Sequence, residues 1–158
     1  MVGADRGLNA MLTWFDRAEQ HAAQRKFDAS GFLSTKFAPD MLPLVKQVQI
    51  ATDVVKGCMS RLAGEEVPTW VDDEKTFEDL RARVRRALDF VAASDAARVD
   101  AGETREIVLT LRNRDPLRFN GADYLRFWAL PNFYFHLTTA YDLLRAGGGG
   151  ERRQRAVH

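Results

Sequence analysis

The sequence has a single cysteine, Cys58, and no long uninterrupted run of apolar residues. One cysteine cannot form an internal disulfide, so a reducing compartment fits the chain. The N-terminal residues contain no apolar run long enough for a signal peptide, and no segment could cross a bilayer as a helix. We therefore expect a cytoplasmic protein with no membrane partner.

The sequence also lacks an excess of either charge. It has 23 Lys and Arg against 22 Asp and Glu, which gives a net charge of +1 at pH 7. Such a balance creates no general field for nucleic acid or an anionic membrane. No glycine-rich loop opens a helix as a phosphate site requires, because the glycines at 147–150 follow a predicted helix. We expect no nucleic-acid partner.

Four stretches of the chain repeat apolar residues every three or four positions, which is the pattern of amphipathic helices. The first stretch runs from Leu8 to about Asp28, and the second begins after Pro39 and Asp40 and ends at Gly64. Asp40 is the predicted N-cap of the second helix, and either Asp72 or Asp73 caps the third. The third helix runs to about residue 93, and the fourth occupies most of residues 119–145.

A short apolar and β-branched stretch separates the third and fourth helices. Residues 106–111 and 117–119 read as two strands joined by a turn, so we expect a small hairpin or an extended crossover. Four helices with short links predict an all-α fold, a four-helix bundle with this hairpin before the last helix. Residues 1–146 form the single predicted domain, and residues 147–158 are a predicted disordered tail.

The stretch from Phe119 to Arg145, which contains the last helix, holds eight of the sixteen aromatic residues of the chain. Its apolar positions predict a wide buried stripe that includes Trp128 and Phe135. Pro131 lies in mid-helix and predicts a kink, after which the amide of Asn132 can satisfy a freed carbonyl. In the third helix, a basic run is predicted to form a solvated outer face; its members are Arg81, Arg83, Arg85 and Arg86.

His136 is the strongest candidate for a catalytic or metal-binding residue. Asn132 lies one turn before it, and Gln47 of the second helix would face both, so the three side chains could surround one metal ion. Amide oxygens are weak ligands for zinc or nickel, which favours a buried histidine hydrogen-bonded to Asn132, Gln47 or a tyrosine. Tyr134 and Tyr141 flank His136 and read as acid, ligand-positioning or core residues. No histidine lies at a spacing from Cys58 that would indicate a catalytic pair, so we interpret Cys58 as an unreactive packing residue.

Three runs of sequence resemble a known bacterial family of domains of unknown function in the DinB/YfiT-like superfamily of metalloenzymes. The runs are FAPDMLPLVKQVQIATD, RLAGEEVPTWVDDEKTFEDL and LPNFYFHLTTAYDLLR, and the resemblance covers about residues 8–146. It implies a DinB-type four-helix bundle that is usually a homodimer.

The resemblance also implies a metal site made of three histidines, one on the second helix and two on the last. His136 resembles the last ligand, because Arg145 follows it by nine residues as in the superfamily. Asn132 then occupies the position of the preceding histidine. The ligand of the second helix falls near Gln47, with Gln49 and Thr52 as alternatives. The chain therefore departs from the superfamily at two of three ligand positions.

Three hypotheses about function follow. The first is a dimeric bundle without a metal or other cofactor that binds a small molecule around His136, beside Asn132, Gln47 and aromatics such as Trp128. The second is an enzyme of the DinB type, thiol-transferase-like or isomerase-like, in which His136 acts as an acid or base or holds zinc or nickel. The third is an interaction scaffold that uses exposed aromatics such as Trp14 and Trp70.

Overall fold

A computed structural model describes residues 2–148, which form a bundle of four long helices with a small hairpin attached. A 3₁₀ turn at Ala29–Ser34 follows the first long helix, and a second 3₁₀ turn at Ala101–Thr104 precedes the hairpin. The predicted tail at 147–158 falls, after its first two residues, outside the described part of the chain. The helices are α1 (Val2–Arg25), α2 (Leu44–Ala63), α3 (Phe77–Ala93), the short α4 (Ala96–Asp100) and α5 (Gly121–Asp123), and α6 (Leu130–Ala146).

The long helices surround one main core in the cyclic order α1, α3, α2, α6, so that α2 packs against both α3 and α6. The predicted all-α bundle is confirmed. Among the described residues, no helix combines the length and apolar character that a membrane span needs. The largest fully buried side chains of the main core are Phe15, Phe133, Leu8, Met11, Leu44 and Leu80.

Two predicted helix starts are wrong, each for a local reason. Helix α1 begins at Val2 rather than Leu8, because Ala4 extends the buried face by one turn and is itself fully buried. Helix α2 begins after Pro43, which is its N-cap in extended conformation, and Asp40 lies in the turn before it. The stop at Gly64 is confirmed, since this residue adopts the left-handed conformation with φ 72°.

The cap of α3 is also different from the prediction. Thr76 accepts a hydrogen bond from the backbone of Asp79, and the Asp79 carboxylate accepts one from the backbone of Thr76. This reciprocal capping box satisfies two donors at once, which a single aspartate at position 72 or 73 cannot do from outside the first turn.

The hairpin covers one end of the bundle. Strand β1 (Glu106–Leu109) pairs antiparallel with β2 (Leu117–Asn120), with Ile107 opposite Phe119. The predicted first strand was two residues too long. Ile107 and Leu109 are buried in a second core cluster that also contains Cys58, Leu62 and Tyr124.

The helix before Pro131 widens instead of simply kinking. Residues Tyr124–Ala129 form a π-helical turn between α5 and α6, and Pro131 is the second residue of α6. The wider turn accommodates a residue that cannot donate a backbone hydrogen bond. The predicted buried position of Phe135 is wrong, because this ring is 58% exposed on the outer face of α6.

Gly102 packs so closely on α2 that a side chain has no room. A Cβ atom at this position would lie 2.0 Å from the carbonyl oxygen of Leu62, a backbone atom that cannot rotate away. We expect Gly102→Ala to lower the free energy of unfolding by about 1–3 kcal/mol, measured by urea denaturation. Gly31→Ala is the matched control, because a Cβ there meets nothing within 4 Å. Equal effects of the two substitutions would contradict the packing described here.

Candidate functional site

The structure brings two of the predicted site residues together at the contact between α2 and α6. Nδ1 of His136 lies 2.7 Å from Oε1 of Gln47. Gln47 is only 2% exposed, whereas His136 is half-buried. The pair therefore joins the two helices at the edge of the core, with the imidazole reaching toward the surface.

A backbone carbonyl fixes which atoms of this pair donate. Nε2 of Gln47 donates to the carbonyl oxygen of Leu42 at 3.0 Å, and a carbonyl can only accept. The other end of the Gln47 amide, which faces His136, must then be its oxygen. An amide oxygen also only accepts, so His136 carries its proton on Nδ1 and donates it to Gln47. The lone pair of Nε2 is left as an acceptor.

The environment of His136 keeps the ring neutral. Burial lowers the pKa of His136 below its ordinary value of 6.5, because the charged form loses solvent. The Phe135 ring meets the imidazole edge to face, with centroids 5.0 Å apart. A neutral imidazole with a fixed tautomer can accept a hydrogen bond or a proton at Nε2.

Asn132 serves the backbone of its own helix. Its Nδ2 donates to the carbonyl oxygen of Trp128 at 2.7 Å, across the junction between the π-helical turn and α6. The sequence predicted that this amide would satisfy a carbonyl near Pro131. The ring of Trp128 packs against Phe119 of the hairpin, with centroids 6.1 Å apart, at the second core cluster.

The remaining aromatic candidates pack against other parts of the bundle. Tyr141 lies on Trp14 of α1, with ring centroids 5.0 Å apart. The ring centroids of Tyr134 and Phe133 are 5.3 Å apart, and the Tyr134 hydroxyl lies beside Gly3 of α1. Trp14 is half-buried, so the expectation that it is an exposed docking residue is wrong.

The superfamily resemblance implies a metal here, and the donor set does not fit one. Gln47 Oε1 already accepts the proton of His136. Asn132 donates its amide nitrogen to Trp128 and could offer only its amide oxygen, which is a weak ligand for zinc or nickel. Only Nε2 of His136 remains as a good ligand for zinc or nickel. Residues 2–148 contain no group of three histidine, cysteine or acidic side chains that could hold an ion.

Cys58 offers no nucleophile. The thiol is fully buried, and burial raises its pKa to about 12. A thiol in that state is protonated at neutral pH and unreactive. This agrees with its predicted role as packing.

A buried ionic cluster lies between α2, α3 and the loop that joins them, and the sequence did not predict it. Arg83, with a side chain only 3% exposed, pairs with Asp53, Asp72 and Glu74 at 2.8–3.0 Å. Arg81 is also buried and pairs with Asp16. The predicted solvated face is therefore wrong for these two arginines. Arg83 shares the helical phase of the buried Leu80 and Ala87, which is the signal that could have placed it inward.

A cavity of ≈ 550 Å³ lies beside this ionic cluster rather than at His136. Trp70 lines it, and Lys56 and Arg86 lie over its ring at 4.7 and 4.5 Å from the centroid. Trp70 is 8% exposed, so it is not the exposed docking residue that the sequence predicted.

The fold and the α2–α6 site together define a DinB-like four-helix bundle. The structure is similar to the crystal structure of a DinB family member protein from Shewanella denitrificans, with a TM-score of 0.85 and 30% sequence identity, over 97% of this chain and 86% of that chain. Residues 2–149 match the family described as domain of unknown function DUF1993, and the chain belongs to that family. No curated protein shows a significant match.

Proposed function

We propose that this protein is a binding protein without a metal, in which neutral His136 accepts a hydrogen bond from a small polar ligand. The observation that carries the proposal is the chain of hydrogen bonds from His136 through Gln47 to the Leu42 carbonyl. The superfamily resemblance implies a metal that joins the second and last helices. Here a hydrogen bond joins them between His136 and Gln47, two residues to which the resemblance assigns ligand positions, so the pair can replace the ion as a link.

The surroundings of His136 indicate the chemistry of the ligand. Nε2 accepts, so the ligand needs an O–H or N–H donor. The exposed Phe135 ring beside the imidazole favours an apolar body next to that donor. Binding sites for small molecules commonly combine apolar walls with a few oriented polar groups.

A His-assisted enzyme is the alternative, and the free Nε2 of a ring that Gln47 holds by Nδ1 favours it. A base must be unprotonated near the working pH, and burial keeps Nε2 in that state. Metal-dependent chemistry of the thiol-transferase or isomerase type is not favoured, because the donor set described above leaves a single strong ligand. Loss of one limb of a pH–rate profile in His136→Ala would support the enzyme.

The test combines two measurements on the untagged protein. Elemental analysis before and after incubation with zinc, nickel and manganese is expected to find no stoichiometric metal. Two-bond ¹H–¹⁵N spectra are expected to show the proton of His136 on Nδ1 and, in the apolar variant Gln47→Leu, a shift toward the Nε2–H form. Phenol, an apolar ring with one donor, is expected to perturb the Nε2 signal.

Two results would overturn the proposal. Stoichiometric metal that is lost in both His136→Ala and Asn132→Ala would show that the superfamily site survives in altered form. A wild-type imidazole protonated on Nε2 would show that Gln47 does not hold the ring as proposed, and the ligand acceptor would then be absent.

A further inference from the structure

The cavity beside Trp70 is separate from the contact between α2 and α6. All the residues that line it fall between Thr69 and Arg86, in α3 and the loop that precedes this helix. Its volume of ≈ 550 Å³ is within the range of about 300–1,000 Å³ that sites for small molecules commonly have. Trp70 is 8% exposed, so its ring lies largely inside the protein at one side of the cavity.

Arg86 is held at this cavity by an aromatic ring and is left without an anion. Its guanidinium carbon lies over Trp70, 4.5 Å from the ring centroid, within the range of a cation–π contact. Its side chain makes no hydrogen bond or ion pair with any residue that the structure describes. A guanidinium that lies over a ring keeps N–H groups along its edge, and these can bind a carboxylate through two parallel hydrogen bonds. The contact with Trp70 therefore orders a cation that still has free donors.

Asp73 is an anion in the same position. It lines the same cavity, and within the described part of the chain its carboxylate also has no hydrogen bond or ion pair. The charged atoms of Arg86 and Asp73 are therefore more than 4.0 Å apart. The two residues do not neutralise each other, although they share one cavity.

The other charged side chains that line the cavity are already committed. Glu74 pairs with Arg83 at 2.8 Å and also accepts a hydrogen bond from Gln49. The carboxylate of Asp79 accepts hydrogen bonds from two backbone N–H groups at the start of α3. The lining is thus left with one uncommitted cation and one uncommitted anion.

We infer that this cavity binds a zwitterion of the α-amino acid type, whose carboxylate pairs with Arg86 and whose ammonium group pairs with Asp73. A simple anion would satisfy Arg86 but would be repelled by Asp73, and a simple cation would meet the opposite conflict. A zwitterion pairs with both residues and adds no net charge, which is the electrostatic complementarity that gives specificity. Trp70, Val71 and Ala82 offer an apolar contact to the side chain of the ligand.

Titrations that follow the indole N–H signal of Trp70 in ¹H–¹⁵N spectra test the inference. Loss of the signal in Trp70→Phe assigns it. Glycine, L-leucine and L-phenylalanine are the probes, because they differ in side-chain size, and at least one is expected to shift the signal to saturation at millimolar concentrations. The N-acetyl form of that amino acid lacks the ammonium group, and its amide lacks the carboxylate. Each is expected to bind at least about tenfold more weakly, because a charge-assisted pair is lost.

Two substitutions assign the two ends of the ligand. Arg86→Gln is expected to weaken binding of the amino acid at least about tenfold but not to weaken binding of its amide, which has no carboxylate to lose. Asp73→Asn is expected to weaken the amino acid similarly but not its N-acetyl form. Arg85→Gln and Asp89→Asn are the matched controls, since both residues are exposed on α3 outside the cavity lining, and they are expected to change nothing. Binding of the analogues also shows that each variant is folded.

Several results would overturn the inference. One is a Trp70 signal that responds to none of the three amino acids. Equal binding of the N-acetyl form would instead show an anion site at Arg86, and equal binding of the amide would show a cation site at Asp73. Native affinity for the amino acid in either variant would show that the altered residue does not hold it. Each failure leaves the proposal for His136 standing, because the cavity lining and the His136–Gln47 pair share no residue.

Discussion

Arg83→Met is expected to lower the free energy of unfolding by about 3–5 kcal/mol. The substitution keeps much of the aliphatic stem but removes a buried charge that pairs with Asp53, Asp72 and Glu74. The Glu74 side chain is only 8% exposed, so it would remain as a buried carboxylate without its cation. Urea denaturation of the wild type and the variant measures the difference.

The lost hydrogen bonds of Arg83 add to that cost. Its guanidinium also donates to the hydroxyl of Thr52 at 2.9 Å and to the carbonyl of Val71 at 3.0 Å. Although burial opposes the charge, the hydrogen bond to Glu74 and the surrounding carboxylates raise the pKa of Arg83 above its ordinary value. The charged state is therefore the one that the fold stabilises.

Two variants separate the charge from the packing. Arg85→Met is the matched control on the same helix, because Arg85 is 57% exposed and makes one exposed ion pair; a change within about 0.5 kcal/mol is expected. Adding Glu74→Gln to Arg83→Met removes the unpaired carboxylate and is expected to recover part of the loss. A loss for Arg83→Met as small as that for Arg85→Met would show that the cluster is not a stabilising unit.

The sequence reveals the bundle because apolar periodicity is a property of the whole helix. Four long amphipathic stretches must bury their apolar faces, and the packing of α2 between α3 and α6 satisfies them. The caps are less predictable, because several polar residues precede each helix. Thr76 is selected over Asp72 and Asp73 by the reciprocal bond with Asp79, which depends on where the chain turns.

Buried polar residues were predictable to different degrees. Gln47 falls inside the apolar sector of α2, so its burial and its need for a partner could be inferred. Its bond to His136 is a contact between residues far apart in sequence, which spacing alone left open among three partners. Arg83 was missed because a run of four arginines resembles a solvated face. The carboxylates that hold it inward come from α2 and a loop.

The position of Phe135 shows where periodicity misleads. Within α6 this residue follows the fully buried Phe133 by two positions, and that separation places it about 200° around the helix axis, on the opposite side. The predicted row continues correctly to Thr139 and Leu143, which are buried, so Phe135 alone lies beyond the edge of the core. Spacing predicts that an apolar sector exists, but the width of the sector that neighbouring helices cover depends on tertiary packing.

Gln47→His combined with Asn132→His is expected to create stoichiometric zinc binding, which we expect the native chain to lack. Together with His136, the double variant has three imidazoles, one from α2 and two a turn apart on α6, as the superfamily resemblance implies. Zinc–nitrogen bonds of about 2.0–2.1 Å place tetrahedral ligand atoms roughly 3.4 Å apart. The present distance of 2.7 Å between Nδ1 of His136 and Oε1 of Gln47 shows that the helices are already close enough.

Elemental analysis and thermal unfolding with and without zinc measure the gain. At free zinc about 100 times the dissociation constant, binding is expected to stabilise the folded state by about 2.7 kcal/mol. Removing Asn132 forfeits its hydrogen bond to Trp128, so the metal-free variant should be about 1 kcal/mol less stable than the native chain. His136→Ala in the double variant is the control and should abolish binding. Equal zinc binding by the native chain would mean that the amides already serve as ligands, and that the hydrogen-bonded pair is not a replacement for the ion.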